Sequence, residues 1–250
     1  MSRRNPRGDR QYIVHDVFNI FLPVYRSPFH SSLAPSELSV AATFILPHRK
    51  LVVFLQIEMS KMLYIIGGCN GAGKTTASYT VLPDILDCRE FVNADEIAQG
   101  LSPFNPTDVA IEAGRLMLQR IEELLAREES FSIETTLATR SYVNLIRRAH
   151  AKGYKVTLVF FWLNSAELAI QRVAERVSKG GHDIPVDIIR RRYVSGIRNL
   201  FNLYADEVDY WSIFDNSENP RIMVAKGGKG LQITVLEETS YNLIRETCQK

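Results

Sequence analysis

From Met62 to the C-terminus, runs of consecutive apolar residues alternate with longer stretches in which apolar residues recur every three or four positions. The runs read as buried strands and the stretches as amphipathic helices. Strands are predicted at 62–66, 91–94, 131–133, 154–163 and 210–214, with a sixth at 231–236. Helices are predicted over 74–82, ending near Pro83, and from a cap at Thr107 or Asp108 to about Arg127, with Ala113, Leu116, Met117, Ile121, Leu124 and Leu125 on one face. Two more follow, over 141–152 and after Asn164, which forms a capping box with Glu167. A further helix starts at Pro185, a residue suited to a first helical turn. Strands separated by helices imply a parallel sheet covered on both faces.

Residues 1–58 lack this order. They begin loop-like over 2–10, then turn aromatic and irregular, with Pro23, Pro28, Pro35 and Pro47 interrupting any period. The longest apolar stretches, around 40–47 and 51–57, are broken by Pro47, His48, Arg49 and Lys50 and fall short of the roughly 18 residues of a membrane helix. Arg3, Arg4, Arg7 and Arg10 precede an apolar region broken by His15, Asp16 and Asn19, a poor secretion signal. Met59 stands just before the first regular strand. Residues 1–58 are therefore expected to be a poorly ordered extension or sequence upstream of the true start, and 59–250 the functional domain. A regulatory or partner-binding arm is the alternative.

A chain of 250 residues accommodates one α/β domain with a buried core and is short for two. The net charge of +2 supplies no strong basic field, so neither nucleic acid nor membrane is an expected partner. Cys69, Cys88 and Cys248 are odd in number and fit no metal-ligand or redox spacing, which favours a reducing cytoplasm.

The octapeptide Gly68-Cys69-Asn70-Gly71-Ala72-Gly73-Lys74-Thr75 changes the picture most. It spells G-x-x-x-x-G-K-[ST] between a predicted strand and a predicted helix, the arrangement of a phosphate-binding loop. The glycines let successive N–H groups face an anion. Gly68, Asn70, Gly71, Ala72, Gly73, Lys74, Thr75 and Thr76 are the candidate nucleotide contacts, Lys74 reaching the β/γ-phosphates and Thr75 ligating Mg²⁺. ATP and Mg²⁺ are thus the expected cofactors. The fold class that follows is α/β: a three-layer P-loop NTPase or kinase with a central parallel sheet of five to six strands and a helical, arginine-rich lid.

In a parallel open sheet, ligands bind beyond the carboxyl ends of the strands. Asp95 and Glu96 follow the second strand, and Glu134 the third. Phosphoryl transfer to a hydroxyl needs an acceptor for the hydroxyl proton, a metal across the phosphates and cations for the transition-state charge. Asp95 suits the first role, either as an N-cap for 96–99 that still faces the cleft or as a group free of capping. Glu134, between Phe131-Ser132-Ile133 and Thr135-Thr136, is a candidate site carboxylate. Arg172 and Arg176 lie four apart on one helical face, before Lys179-Gly180-Gly181-His182 and Arg190-Arg191-Arg192. Together they read as a lid that closes over a nucleotide and brings arginines to its γ-phosphate. The alternative is a solvated face whose arginines pair with Glu167 and Glu175. Asp215-Asn216-Ser217, ending the fifth strand, is either a base contact or an Asx-type turn.

The ordered set G-G-C-N-G-A-G-K-T-T, V-N-A-D, I-E-T-T, R-V-A-E-R-V-S-K-G-G-H-D-I-P and R-R-R-Y resembles the zeta-toxin family of P-loop kinases over about residues 62–225. The resemblance implies transfer of the ATP γ-phosphate to a small-molecule hydroxyl, in studied members the 3′-hydroxyl of the amino sugar of UDP-N-acetylglucosamine. It implies Lys74 as the loop lysine, Asp95 as the general base and Arg172 or Arg176 as a lid arginine. Glu134 and Thr136 match a substrate-side E-G-T motif, and Arg140 and His182 are further candidate acceptor contacts. An antitoxin protein is the partner the resemblance adds. Two positions depart from the family pattern. Its D-x-D is Asn93-Ala94-Asp95, and the glycine of E-G-T is Thr135. A second lid arginine has no unique counterpart, with His182 and Arg190 to Arg192 competing for the role. The remaining alternatives are a kinase for another hydroxyl compound and a nucleotide-dependent switch.

Overall fold

The computed structural model describes residues 41–46, 49–54, 60–181 and 183–249. Strand β1 (Ala41–Leu46) pairs antiparallel with β2 (Arg49–Phe54) as a two-stranded sheet of its own. The remaining residues before Ser60, and the expectation attached to them, lie outside the described residues, as does His182.

The apolar run before the octapeptide forms β3 (Met62–Gly68), buried along nearly its whole length. Such a run, lacking in-out alternation, belongs in the middle of a parallel sheet. β3 lies between β5 (Phe131–Thr135) and β6 (Lys155–Trp162), both parallel to it. β4 (Phe91–Val92) adds outside β5, and β7 (Tyr210–Asp215) outside β6. The full order is β4-β5-β3-β6-β7-β8-β9. Here the structure corrects the expected all-parallel sheet. β8 (Ile222–Gly228), which the apolar pattern did not single out, pairs antiparallel with β7, and β9 (Leu231–Val235) pairs antiparallel with β8. The residues joining β7, β8 and β9 are too few for a parallel crossover, which needs a dozen or more.

Helices flank the sheet. α1 (Lys74–Ile85) continues through Pro83 instead of stopping there. The ring removes only one N–H, close to the end of the helix, where one bond is lost without ending it. α2 (Ala94–Leu101) is capped by Asn93, whose side chain accepts the Asp95 N–H at 2.9 Å. Asp95, for which an N-cap was the alternative to the general-base reading, lies in the first turn and not at the cap. A 3₁₀ turn (Pro106–Val109) leads into α3 (Ala110–Arg127), so neither Thr107 nor Asp108 caps it. Of the predicted stripe on α3, Leu116 turns outward and the rest is buried. α4 (Tyr142–Ala151) precedes β6, and α5 (Ala166–Val177) follows it. Ser165, not Asn164, caps α5, accepting the Leu168 N–H at 3.2 Å. α6 (Val186–Asn199) continues into a π-helical turn (Leu200–Tyr204), and α7 (Glu238–Gln249) ends the chain. No helix among the described residues is long and apolar enough to cross a membrane.

The strand order reverses at β3, with β5 on one side and β6 on the other. The octapeptide leaves the sheet at this switch point, where open α/β sheets bind ligands.

Candidate active site

The loop from Gly68 to Gly73 connects β3 to the N-terminus of α1, which sets it at the positive end of the helix dipole. Gly73 holds φ 79°, a left-handed conformation a side chain would strain. Lys74 is buried at 6% exposure, folded back so that its Nζ donates to the Cys69 carbonyl at 3.1 Å.

Register brings in the first partner. Ile66 on β3 sits opposite Glu134 on β5, one strand away from the loop. Glu134 is thereby aimed at the phosphate loop. Its Oε1 lies 3.4 Å from Lys74 Nζ, and its Oε2 accepts the Thr75 hydroxyl at 2.8 Å. Both side chains of the ion pair are over nine-tenths buried. Glu134, expected as an acceptor contact, lies against Lys74 and Thr75 of the loop. Thr75 Oγ1 and the Glu134 carboxylate are hard oxygen donors, which suits Mg²⁺, a metal held by one or two protein groups plus phosphates and water. Among the described residues there is no cluster of three or more His, Cys, Asp or Glu that would favour a protein-caged metal instead.

After Glu134 the chain turns sharply. The Thr135 hydroxyl accepts the Leu137 N–H at 3.0 Å, and Leu137 takes φ 60°. Thr135 is buried at 9% exposure and points into this turn, so the side chain where the family has glycine is accommodated inside it. Thr136 is half-buried, while Arg140 is exposed just before α4.

Asp95 is exposed in the first turn of α2. Neighbouring Glu96 is held by the Tyr79 hydroxyl at 2.7 Å. That bond pushes the Tyr79 phenol up to about 12. An open cleft of about 610 Å³ lies between Gln99 on α2 and the C-terminal half of α5 with the turn that follows it, lined there by Arg172, Arg176 and Lys179. Its size is that of a small-ligand site. Gln99 lies one turn beyond Asp95, and it carried no signal in the sequence beyond that spacing.

The arginines divide between tasks. Arg190 donates to Glu167 on the surface at 3.3 Å. Arg192 reaches inward, its Nη1 donating to Oδ1 of the buried loop residue Asn70 at 3.2 Å. Of the three arginines in that run, Arg192 is the one placed on the phosphate loop. Arg176 is exposed on the lid side of the cleft. Arg172 departs from expectation. Its Nη1 and Nη2 donate to the carbonyls of Asn216 and Ser217, both at 2.8 Å. The Asp215-Asn216-Ser217 segment does form an Asx-type turn, with the Ser217 N–H donating to Asp215 Oδ1 at 2.8 Å.

Comparison with known proteins gives three findings. A family model described as Zeta toxin matches residues 54–220. An uncharacterized protein of Haemophilus influenzae is 31% identical over 139 residues, covering 56% of this chain and 96% of that protein. Among solved structures, the AvrRxo1-ORF1:-ORF2 complex with ATP superposes with a TM-score of 0.62 at 18% identity, over 75% of this chain and 64% of that one. This chain thus spans under two thirds of the length of that protein. The PezAT chromosomal toxin–antitoxin system of Streptococcus pneumoniae superposes with a TM-score of 0.52 at 13% identity, over 100% of this chain and 95% of that one. At such identities these structures share the fold.

Proposed function

Since the chain belongs to the zeta toxin family, a family of P-loop kinases, we propose that it transfers the ATP γ-phosphate to a hydroxyl of a small molecule. UDP-N-acetylglucosamine is the acceptor to test first, and the cytoplasm the site of action. The carrying observation is the buried arrangement of Lys74, Thr75 and Glu134 at the N-terminus of α1. A structural ion pair alone has no reason to sit inside a phosphate loop.

In this reading the loop N–H groups and Lys74 hold the β- and γ-phosphates. Thr75 and Glu134 would hold Mg²⁺, which supplies charge neutralisation across the phosphate oxygens when bound. Asp95 accepts the acceptor's hydroxyl proton as that oxygen bonds to the γ-phosphorus. The bond from γ-phosphorus to the bridging oxygen breaks, and ADP leaves with the electron pair. Arg176 and Arg192 balance the charge that builds on the transferring group. Thr136, Arg140 and His182 are the candidate acceptor contacts that the family membership adds. An antitoxin-type protein partner belongs to the same proposal, supported by the fold shared with the PezAT system.

The test incubates the protein with ATP, Mg²⁺ and UDP-N-acetylglucosamine and reads the product by mass spectrometry. A species heavier by one phosphate is expected, and Asp95→Asn should lower its rate about 10²- to 10⁴-fold, the usual contribution of a general base. Equal product from Asp95→Asn would remove Asp95 from the mechanism. No product with this acceptor, but ADP release with another hydroxyl compound, would keep the kinase and replace the substrate.

A further inference from the structure

We propose that Arg172 and Asn216 form a clasp that holds the phosphate loop in its anion-binding shape, making both positioning residues for the nucleotide's β-phosphate. The proposal rests on the nucleotide reading above and assigns a role to a segment that reading leaves unused.

The clasp closes on the loop from two sides. On one, α5 lies directly against Gly71, where a Cβ would sit 2.8 Å from the Ala169 carbonyl and 3.2 Å from Arg172 Cβ. On the other, Asn216 Nδ2 donates to the Ala72 carbonyl at 2.8 Å, and a Cβ on Gly73 would lie 2.5 Å from that nitrogen. A peptide unit whose carbonyl is tied outward has its orientation fixed. Holding the Ala72 carbonyl outward keeps the Gly73 N–H, the other end of the same peptide, facing the anion site. The Gly73 backbone alone would be free to leave φ 79°.

Asn216 is itself immobilised. Its N–H donates to the Trp162 carbonyl at 2.9 Å, and its carbonyl accepts Arg172 Nη1 at 2.8 Å. Arg172 Nη2 takes the next carbonyl, Ser217, whose hydroxyl accepts the Asn164 N–H at 2.8 Å. A planar guanidinium bridging two successive carbonyls is a bond pattern lysine cannot reproduce. The chain of contacts therefore runs from α5 through the end of β7 to the loop, and returns to the loop through Gly71.

The consequence separates this role from a γ-phosphate contact. A clasp shapes the loop for any nucleotide, so its loss weakens ADP and ATP alike. An arginine on the γ-phosphate acts on the triphosphate alone. The experiment titrates wild type, Asn216→Ala, Arg172→Lys and the double variant with Mg²⁺-ADP and with a non-hydrolysable ATP analogue by calorimetry. Circular dichroism confirms that each variant is folded. About a tenfold loss of affinity is expected for each single variant, the size of one or two hydrogen bonds, and the same for both nucleotides. The double variant should bind little worse than the weaker single one, because both residues act through one turn. Loss confined to the ATP analogue, or unchanged affinity in Asn216→Ala, would overturn the clasp. Failure of the wild type to bind either nucleotide would overturn the clasp and the nucleotide reading together.

Discussion

A single carboxylate organises the end of the sheet opposite the site. Asp209 accepts the Val156 N–H at 2.9 Å and Lys155 Nζ at 2.8 Å, and meets His150 Nε2 at 2.8 Å. Burial alone would raise its pKa. The Lys155 ammonium, the Val156 N–H and His150 outweigh burial and hold the carboxyl below its ordinary value. A carboxylate with a depressed folded value contributes stability that is complete above its unfolded value and lost as pH falls through the folded one. Urea unfolding should therefore show wild type losing stability below about pH 4. Asp209→Asn should be weaker at pH 7 by about 1–3 kcal/mol, with a flatter profile below pH 4. Identical curves for the two proteins would show that Asp209 is not coupled to folding. The sequence carries no mark of this hub, because Asp209 lies more than 50 residues from each partner. Lys74 and Thr75, by contrast, are legible at once, since the loop motif that marks them is continuous in the chain.

Among the elements, α2 is the one whose ends matter most. Asn93 is extended, with φ −134° and ψ 118°, and caps a helix only eight residues long that carries Asp95 in its first turn. Replacing an N-cap asparagine by alanine costs about 0.5–2 kcal/mol. Asn93→Ala should lower global stability by no more than that amount. Its larger effect should be on kcat, through a frayed first turn that no longer presents Asp95. Hydrogen exchange at the amides of α2 checks the fraying, and kcat unchanged alongside full fraying would detach Asp95 from catalysis. Sequence signals offered α2 only through the alternative reading of Asp95 as a cap for 96–99, and they missed the true cap, since Asn93 and Asp95 are both good capping types and only the dihedrals distinguish them. The same limit explains why Ser165 caps α5 in place of Asn164. β8 was missed for another reason. Its Ile222-Met223-Val224-Ala225 run is short, and it is a strand because β7 and β9 pair with it.

For the molecule as a whole, the phosphate loop lies at the junction of β3, α1, α5 and the end of β7, so a nucleotide bound there touches several elements at once. A ligand that binds only the folded state stabilises it, by about 2.7 kcal/mol at a hundred times its Kd. Saturating Mg²⁺-ATP should raise the melting temperature by several degrees, on the order of 2–4 °C per kcal/mol for a chain this long. Lys74→Ala should abolish the shift. A shift retained in Lys74→Ala would place the nucleotide elsewhere.

The sequence by itself determined the alternation of strand and helix, the phosphate loop and the class of chemistry. These are local demands: periodic burial, glycine at a left-handed turn, and a lysine and threonine adjacent to it. Only the tertiary structure decided which side chains meet at that loop. Glu134 joins Thr75 across 59 residues, Arg172 meets Asn216 across 44, and Arg192 meets Asn70 across 122. Each meeting depends on strand register and helix rotation. A one-residue slip of β5 would turn Glu134 to the opposite face of the sheet. For that reason the partners of Glu134 are Lys74 and Thr75, and those of Arg172 are the Asn216 and Ser217 carbonyls, neither of which the motif that first marked the site could show.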